Sequence, residues 1–467
     1  MVNRSASAAS KAGTAVMVVL IIGLVGVLGY RMLQKAGVIA GVPIDAQIAA
    51  KVAGPYQTSK PNPKNMKAYV DDDDDPSVKQ DAVEPSRWKI IDVHEHAQNV
   101  PEAERLLAAM DQLGVQRTCL LSATIYTFTL NDAYGFEQFK ENNEEVIKIK
   151  KRWPDRFCAF VTFDPLAEGN LELVKDAVSR GADGVKLYIG HGAKTGKGPF
   201  HVMGIDDPRL EPFWAWAEEV QLPVLMHVNL IKYWDETVTL LEKHPNLRLC
   251  LPHFGLHKNT DARLKRLGWL LDRYPNVYSD MSYGHPSFQV EGFESLSKWR
   301  SRTRTFLKRY AHRLMFASDM VLEATKTEDY IIHTLRSYRQ WNESERFRLY
   351  LVPSKLMHGM DLDDDSLAKI YEQAPAGFLL LDAKGNLPDR TKDPKVTVPM
   401  RVLPLIDKET IPFDPQYVPR TDGPTWASSA KGPAAKKAGG DVVEGGETKG
   451  GGGEGPEEDA DAEHDCD

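Results

Sequence analysis

The sequence predicts an α/β fold, a (β/α)8 barrel (the TIM-barrel architecture), over residues 86–390 of a 467-residue chain. Three observations predict it. Eight short apolar runs recur along this stretch, each about as long as a buried strand. Amphipathic stretches of helical length separate them, as parallel strands require for their crossovers. Several runs end on an ionisable or metal-ligating residue, and barrels of this kind carry their chemistry at the C-terminal ends of the strands. The competing arrangement is an open, doubly wound sheet. No Gly-x-Gly-x-x-Gly follows the first run, so nothing supports a dinucleotide site.

The strand-like runs are WKIIDVH (88–94), RTCLLSA (117–123), FCAFVTF (157–163), DGVKLY (183–188), PVLMHV (223–228), LRLCLPH (247–253), NVYSDMS (276–282) and RLMFASD (313–319). Helix-like stretches between them include 101–113, 170–180, 209–220, 261–274 and 328–341. The segment 343–365 exceeds what a minimal barrel needs and is expected to cover the barrel mouth.

Outside the barrel the composition changes. AGTAVMVVLIIGLVGVLGY (12–30) carries no charge. As a helix it would span roughly 28 Å, enough to cross a bilayer core. Residues 1–30 therefore read as a transmembrane anchor rather than a cleaved signal peptide, whose apolar region is shorter. Arg4, Lys11, Arg31 and Lys35 flank it on both sides, which specifies orientation poorly. Because a short N-terminal arm is easily kept inside, the barrel is expected outside the cytoplasm. Residues 31–85 form an acidic linker, and 391–467 a Pro- and Gly-rich acidic tail with little to bury.

A hydrophobic content of 42% allows a sizeable core, and a net charge of −8 argues against a nucleic-acid-binding surface. The partners expected are a small-molecule substrate and, through the first helix, a membrane; a homo-oligomer is compatible with the sequence. Cys119, Cys158 and Cys250 lie in apolar runs and read as buried thiols, and Cys466 as exposed in the tail.

The strand ends carry the functional signal. The first run closes on His94 and His96, the fourth carries Lys186, the fifth reaches His227, the sixth His253 and the eighth Asp319. Alternation along a strand puts Asp92, His94 and His96 on one face and Glu95 on the other, where a surface or salt-bridge role is expected. If that face points inward, His94, His96, His227 and Asp319 form a nitrogen and oxygen ligand set. Such a set suits Zn2+ first, and also Fe2+ or Mn2+. Asp92 below them would support a ligand imidazole. Each residue also has a plainer reading: a hydrogen-bonded core histidine for His227 or His253, a helix N-cap for Asp319.

The motifs DVHEH, GVKLY, LMHVN, LPHFG and FASDM, in this order from about Trp88 to about Leu381, resemble the amidohydrolase superfamily, in particular its amidohydrolase-related branch. That branch includes decarboxylases of the aminocarboxymuconate semialdehyde type. SLAKIYEQAPAGFLLLD resembles the helix that ends that domain, with a departure where an Asn-Ala pair is usual. The resemblance implies a metal-dependent barrel hydrolase. His94, His96 and His227 would hold one divalent ion, a second being open. Asp319 would be ligand and proton shuttle, and His253 a second-site ligand or a group polarising substrate. Lys186 would be a buried charge partner rather than a carbamylated bridge. The expected reaction is hydrolysis of a C–N or C–O bond. The alternatives are non-oxidative decarboxylation on the same architecture, or an anchored barrel that binds without catalysis. His191, His201, Tyr283 and His285 follow strands four and seven and are expected to serve as ordinary loop residues, with substrate contact the second choice.

Overall fold

A computed structural model describes residues 85–122, 138–190, 204–256, 261–284, 286–324 and 326–398. The expected anchor, almost all of the linker, His191, His201 and His285 lie outside these. Among the described residues, no helix is long and apolar enough to cross a membrane.

Eight strands form one sheet in sequence order: β1 (Ile90–Glu95), β2 (Val115–Leu121), β3 (Phe157–Val161), β4 (Gly184–Gly190), β5 (Val224–Val228), β6 (Leu249–Leu251), β7 (Val277–Asp280) and β8 (Leu314–Met315). Every pair within it is parallel. The sheet all but closes on itself: beyond the two residues of β8, Val93 N donates to Phe316 O (3.1 Å), Asp319 N to His94 O (2.7 Å) and Leu322 N to His96 O (2.8 Å). These bonds tie the chain after β8 to β1 and so bring the first and last site-bearing segments together.

The crossovers are helices with readable ends. In α1 (Val100–Leu113), the Asn99 side chain accepts from Glu102 N (3.1 Å), Pro101 occupies the first turn, and Gly114 ends the helix at φ 74°. A Cβ at Gly114 would stand 2.5 Å from Ser86 N, so glycine is required there twice over. Between β2 and β7 run α2 (Phe139–Arg152), α3 (Asn170–Ser179), α4 (Glu211–Val220), α5 (Trp234–Lys243) and α6 (Asp261–Arg273). Two helices, α7 (Pro286–Lys298) and α8 (Arg300–Tyr310), link β7 to β8, and α9 (Glu328–Glu343) follows β8.

The core has two parts. One lies between strands and helices and includes Ile90, Leu106, Phe163, Trp214 and Trp341. The other fills the barrel interior: Ile91, Val93, Phe160, Leu225, Tyr278 and Met315 pack with Phe378 and Leu379 of the final helix. That helix region comprises α10 (Asp364–Ala368), a π-helical turn (Lys369–Gln373) and α11 (Ala374–Leu379). The π turn stands just before Pro375, whose missing N–H breaks the regular helical ladder. Beyond it the chain stays on the barrel: the Arg390 guanidinium donates to Val220 O and Gln221 O (both 2.8 Å), and Val396 N to Val220 O (3.3 Å).

Two expectations are corrected. Segment 343–365 forms a hairpin, β9 (Arg346–Arg348) with β10 (Leu356–His358), and its contacts run to the outer helices. Ser297 Oγ of α7 donates to His358 O (3.1 Å), and Tyr350 stacks on His333 of α9. It braces those helices instead of covering the mouth. Cys119 and Cys158 are not separate thiols. They stand opposite each other on β2 and β3 and form a disulfide, while Cys250 is a buried free thiol.

Candidate metal centre

The polar ends of β1, β4, β5, β6 and β7 and the segment after β8 meet at one end of the barrel. His94, His227, His253 and Asp319 each offer a ligand atom, and these atoms lie within 4.8 Å of one another. All four residues are buried. His96 joins from the side, its Nε2 3.3 Å from Asp319 Oδ1. Asp319 is the hub: Oδ1 is also 3.4 Å from His94 Nε2, and Oδ2 is 3.5 Å from His253 Nε2. His227 Nε2 faces His253 Nε2 at 2.9 Å. Three of the residues anticipated as ligands, His94, His227 and Asp319, thus converge with His253, while His96 reaches the set at Asp319.

The outer nitrogen of each ring shows how three of the imidazoles are protonated. His96 Nδ1 donates to Leu121 O (2.7 Å) and His253 Nδ1 to Ser282 O (2.8 Å); a carbonyl only accepts, so both Nδ1 atoms carry the proton. His94 Nδ1 faces the Asp280 carboxylate at 2.9 Å. In a neutral ring the Nε2 lone pair then faces Asp319. Burial lowers the pKa of His94 to about 3 and also lowers that of His253, so both rings are neutral at physiological pH. Burial alone would raise Asp319, and positive charge on the side of His94, His96 and His253 lowers it; with the rings of His94 and His253 neutral, a bound cation would supply that charge.

This arrangement fits a divalent ion. Without one, neutral nitrogen lone pairs crowd a carboxylate oxygen, and Asp319 Oδ1 is buried without a hydrogen bond of good geometry. With one, the same lone pairs and the carboxylate are its ligands.

Local backbone explains why these residues point inward. After β6 the chain turns through left-handed conformations at His253 (φ 57°), Phe254 (φ 56°) and Gly255 (φ 78°). A Cβ at Gly255 would stand 2.4 Å from Leu230 Cδ1. Asp319 (φ 48°) and Val321 (φ 52°) are also left-handed, which is costly for a β-branched residue. The Lys326 ammonium donates to the carbonyls of Met320 and Val321 and braces this turn. The Asp319 carboxylate faces histidines, so the N-cap reading does not apply.

Two readings near β1 need correction. Glu95 is fully buried, not on the surface. The β1–β2 register shifts between Asp92 and Glu95, which breaks strict alternation. Its carboxylate accepts from His96 N (2.7 Å), Met320 N (2.9 Å) and Ser318 Oγ (2.9 Å). Asp92 accepts from His94 N (3.0 Å) and shares the single Ser318 hydroxyl with Glu95 (Oγ at 2.5 Å), so it holds backbone and not an imidazole. Asp280, which the sequence reading passed over, is the carboxylate on the ring of His94. It ends β7, so the strand-end rule extended to the seventh run would find it.

Lys186 is fully buried, its Nζ 3.0 Å from His94 Nε2 and 4.6 Å from the centre of the Tyr188 ring. Burial pushes its pKa down to about 8, against the pull of Asp319 and Asp280. Tyr283 packs on Phe293, and its N–H donates to Tyr338 Oη (2.7 Å), a structural placement.

An eight-stranded barrel with imidazoles and a carboxylate converging on its strand ends defines a barrel protein built around a candidate metal centre. Residues 91–381 match the model of the amidohydrolase-2 family, described as Amidohydrolase, and the chain belongs to that family. No curated protein matches the chain. Among solved structures, an uncharacterized TIM-barrel protein from Bordetella bronchiseptica is 15% identical at a TM-score of 0.42, covering 62% of this chain and 98% of its own. A dihydroxybenzoic acid decarboxylase from Polaromonas with bound manganese and 2-nitroresorcinol is 16% identical at 0.40, covering 64% and 99%. A 4-oxalomesaconate hydratase from Rhodopseudomonas palustris is 14% identical at 0.40, covering 62% and 95%.

Proposed function

We propose that this chain is a metal-dependent hydrolase of the amidohydrolase type, which cleaves a C–N or C–O bond in a small molecule. The observation that carries the reading is the buried Asp319 carboxylate, which stands 3.3–3.5 Å from the Nε2 atoms of His94, His96 and His253. His94, His96, His227 and Asp319 would hold one divalent ion, with Zn2+ the best match to a nitrogen-rich set. Such an ion supplies Lewis acidity, which acidifies water and polarises a substrate oxygen.

The chain's own residues do the rest. Asp319, kept ionised, accepts a proton from the attacking water and returns it to the leaving group. His253 Nε2 is aimed into the same space and, once it takes up a proton, can steady charge growing on a substrate oxygen. The surrounding strand ends are almost wholly buried, which limits competing water.

Decarboxylation is the second reading. It is favoured by the buried Lys186 ammonium, a counter-charge that a carboxylate substrate would use. We propose further that residues 1–30 anchor the barrel to a membrane and place it outside the cytoplasm. The Cys119–Cys158 disulfide supports this placement, because disulfides persist in oxidising compartments.

The test is turnover in 18O-labelled water by the full-length, zinc-loaded chain, against panels of amides, lactones and aromatic carboxylic acids. One labelled oxygen in the product, lost in Asp319→Ala, supports hydrolysis. Carbon dioxide release without label supports decarboxylation, and no turnover in any panel supports the non-catalytic barrel.

A further inference from the structure

We propose that Asp280 is a positioning residue that fixes the proton of His94 on Nδ1 and ties His94 to His253. His94 then presents a bare Nε2 to the ion, with the His253 ring fixed beside it. The inference rests on reading the cluster as a metal centre.

Asp280 is completely buried at the end of β7, separated from β1 by β8 and the segment that follows it. Its two oxygens have separate duties. Oδ2 faces His94 Nδ1 at 2.9 Å. Oδ1 accepts from three donors: His253 N (3.1 Å), Ser282 N (3.1 Å) and Ser282 Oγ (2.6 Å). The donor at His253 belongs to a residue in a left-handed conformation, so this bond helps offset backbone strain beneath that ring. Ser282 in turn accepts from His253 Nδ1 through its carbonyl (2.8 Å). One carboxylate therefore orients an imidazole from β1 directly and one from β6 through backbone and Ser282. Ser282 Oγ is a weaker second partner of His94 Nδ1, at 3.4 Å.

This division of duties makes the isosteric amide informative. In Asp280→Asn, the oxygen must stay on the three-donor side, because an NH2 group cannot accept from them. The NH2 is then forced towards His94 Nδ1, which must become the acceptor. The ring proton moves to Nε2, the atom needed for the ion. A role in packing alone would tolerate asparagine, since volume and three of the four contacts survive. A role in fixing the tautomer would not. Groups that orient metal-bound histidines are typically worth about 10- to 100-fold in metal affinity.

The experiment has two arms, both on the full-length chain. Zn2+ affinity is measured by chelator competition for wild type and Asp280→Asn, with metal-free thermal midpoints alongside. Nitrogen-15 NMR of the histidine rings, with His94 assigned by His94→Gln, reads the tautomer in the metal-free wild type and does not depend on Asp280→Asn folding. The expected results are an affinity about 10- to 100-fold weaker in Asp280→Asn, at a similar midpoint, and a His94 ring protonated on Nδ1. Unchanged affinity in Asp280→Asn, or a wild-type His94 ring protonated on Nε2, overturns the proposal. A wild-type chain that binds no zinc overturns the proposed function instead, and the NMR arm still decides for Asp280.

Discussion

Asp319 is joined to His94 twice. Its backbone N–H donates to the His94 carbonyl at 2.7 Å, and its carboxylate Oδ1 stands 3.4 Å from His94 Nε2. The first bond belongs to the seam that all but closes the barrel, and the second belongs to the site. Closing the fold and assembling the ligand set are thus one event, and the left-handed backbone at Asp319 is held where both are satisfied.

Gly284 should be intolerant of any side chain. A Cβ there would stand 2.7 Å from Asp319 Oδ2 and 3.3 Å from its Cγ. Gly284→Ala is expected to displace the carboxylate and lower zinc affinity by at least 10-fold, in line with lost ligand positioning. The overpacking should cost about 1–3 kcal/mol of stability. Chelator competition and urea unfolding check both numbers.

Phe378 should matter to stability and not to the site. It is fully buried in the barrel interior, against Phe160 (ring centres 6.2 Å apart) and Tyr278 (5.5 Å). Phe378→Ala is expected to cost about 3–5 kcal/mol and leave zinc stoichiometry unchanged. Loss of zinc binding in a folded variant would contradict the separation of core from site.

The barrel was legible in the sequence because buried parallel strands read as short apolar runs at regular spacing, and the family resemblance followed from polar residues at their ends. His94, His96, His227, His253 and Asp319 were found that way. Asp280 ends a strand like the others, but residue type alone does not mark a carboxylate that orients a ligand. Glu95 was misplaced because a register shift in β1 is invisible to strict alternation. The Cys119–Cys158 pair depends on the register of β2 against β3, which two separate runs cannot reveal.

Glu102 should make stability depend on pH. Burial raises its carboxyl from the usual 4.5 to about 7, only partly offset by bonds from Gln98 N and Asn99. The folded state therefore keeps a proton that the unfolded chain has lost. Its contribution is fully present below about pH 4.5 and is lost as pH rises to about 7. Glu102→Gln is expected to flatten stability over this window. Denaturant midpoints from pH 4.5 to 8 compare the two chains; identical slopes would contradict the assignment.

Cysteine chemistry should separate the described thiols. In unfolded, unreduced protein, alkylation is expected to label Cys250 and spare Cys119 and Cys158. Reduction should expose both. Peptide mass mapping reads the result, and labelling of Cys119 before reduction would contradict the disulfide.

The central claim is that His94, His96, His227 and Asp319 hold a divalent ion at the end of this barrel. Zinc content per chain, after loading and exhaustive desalting, tests it most directly. One ion per full-length wild-type chain, lost in both His94→Ala and Asp319→Ala while each stays folded, is the predicted result. No retained ion in the wild type, or equal content in all three, would contradict it.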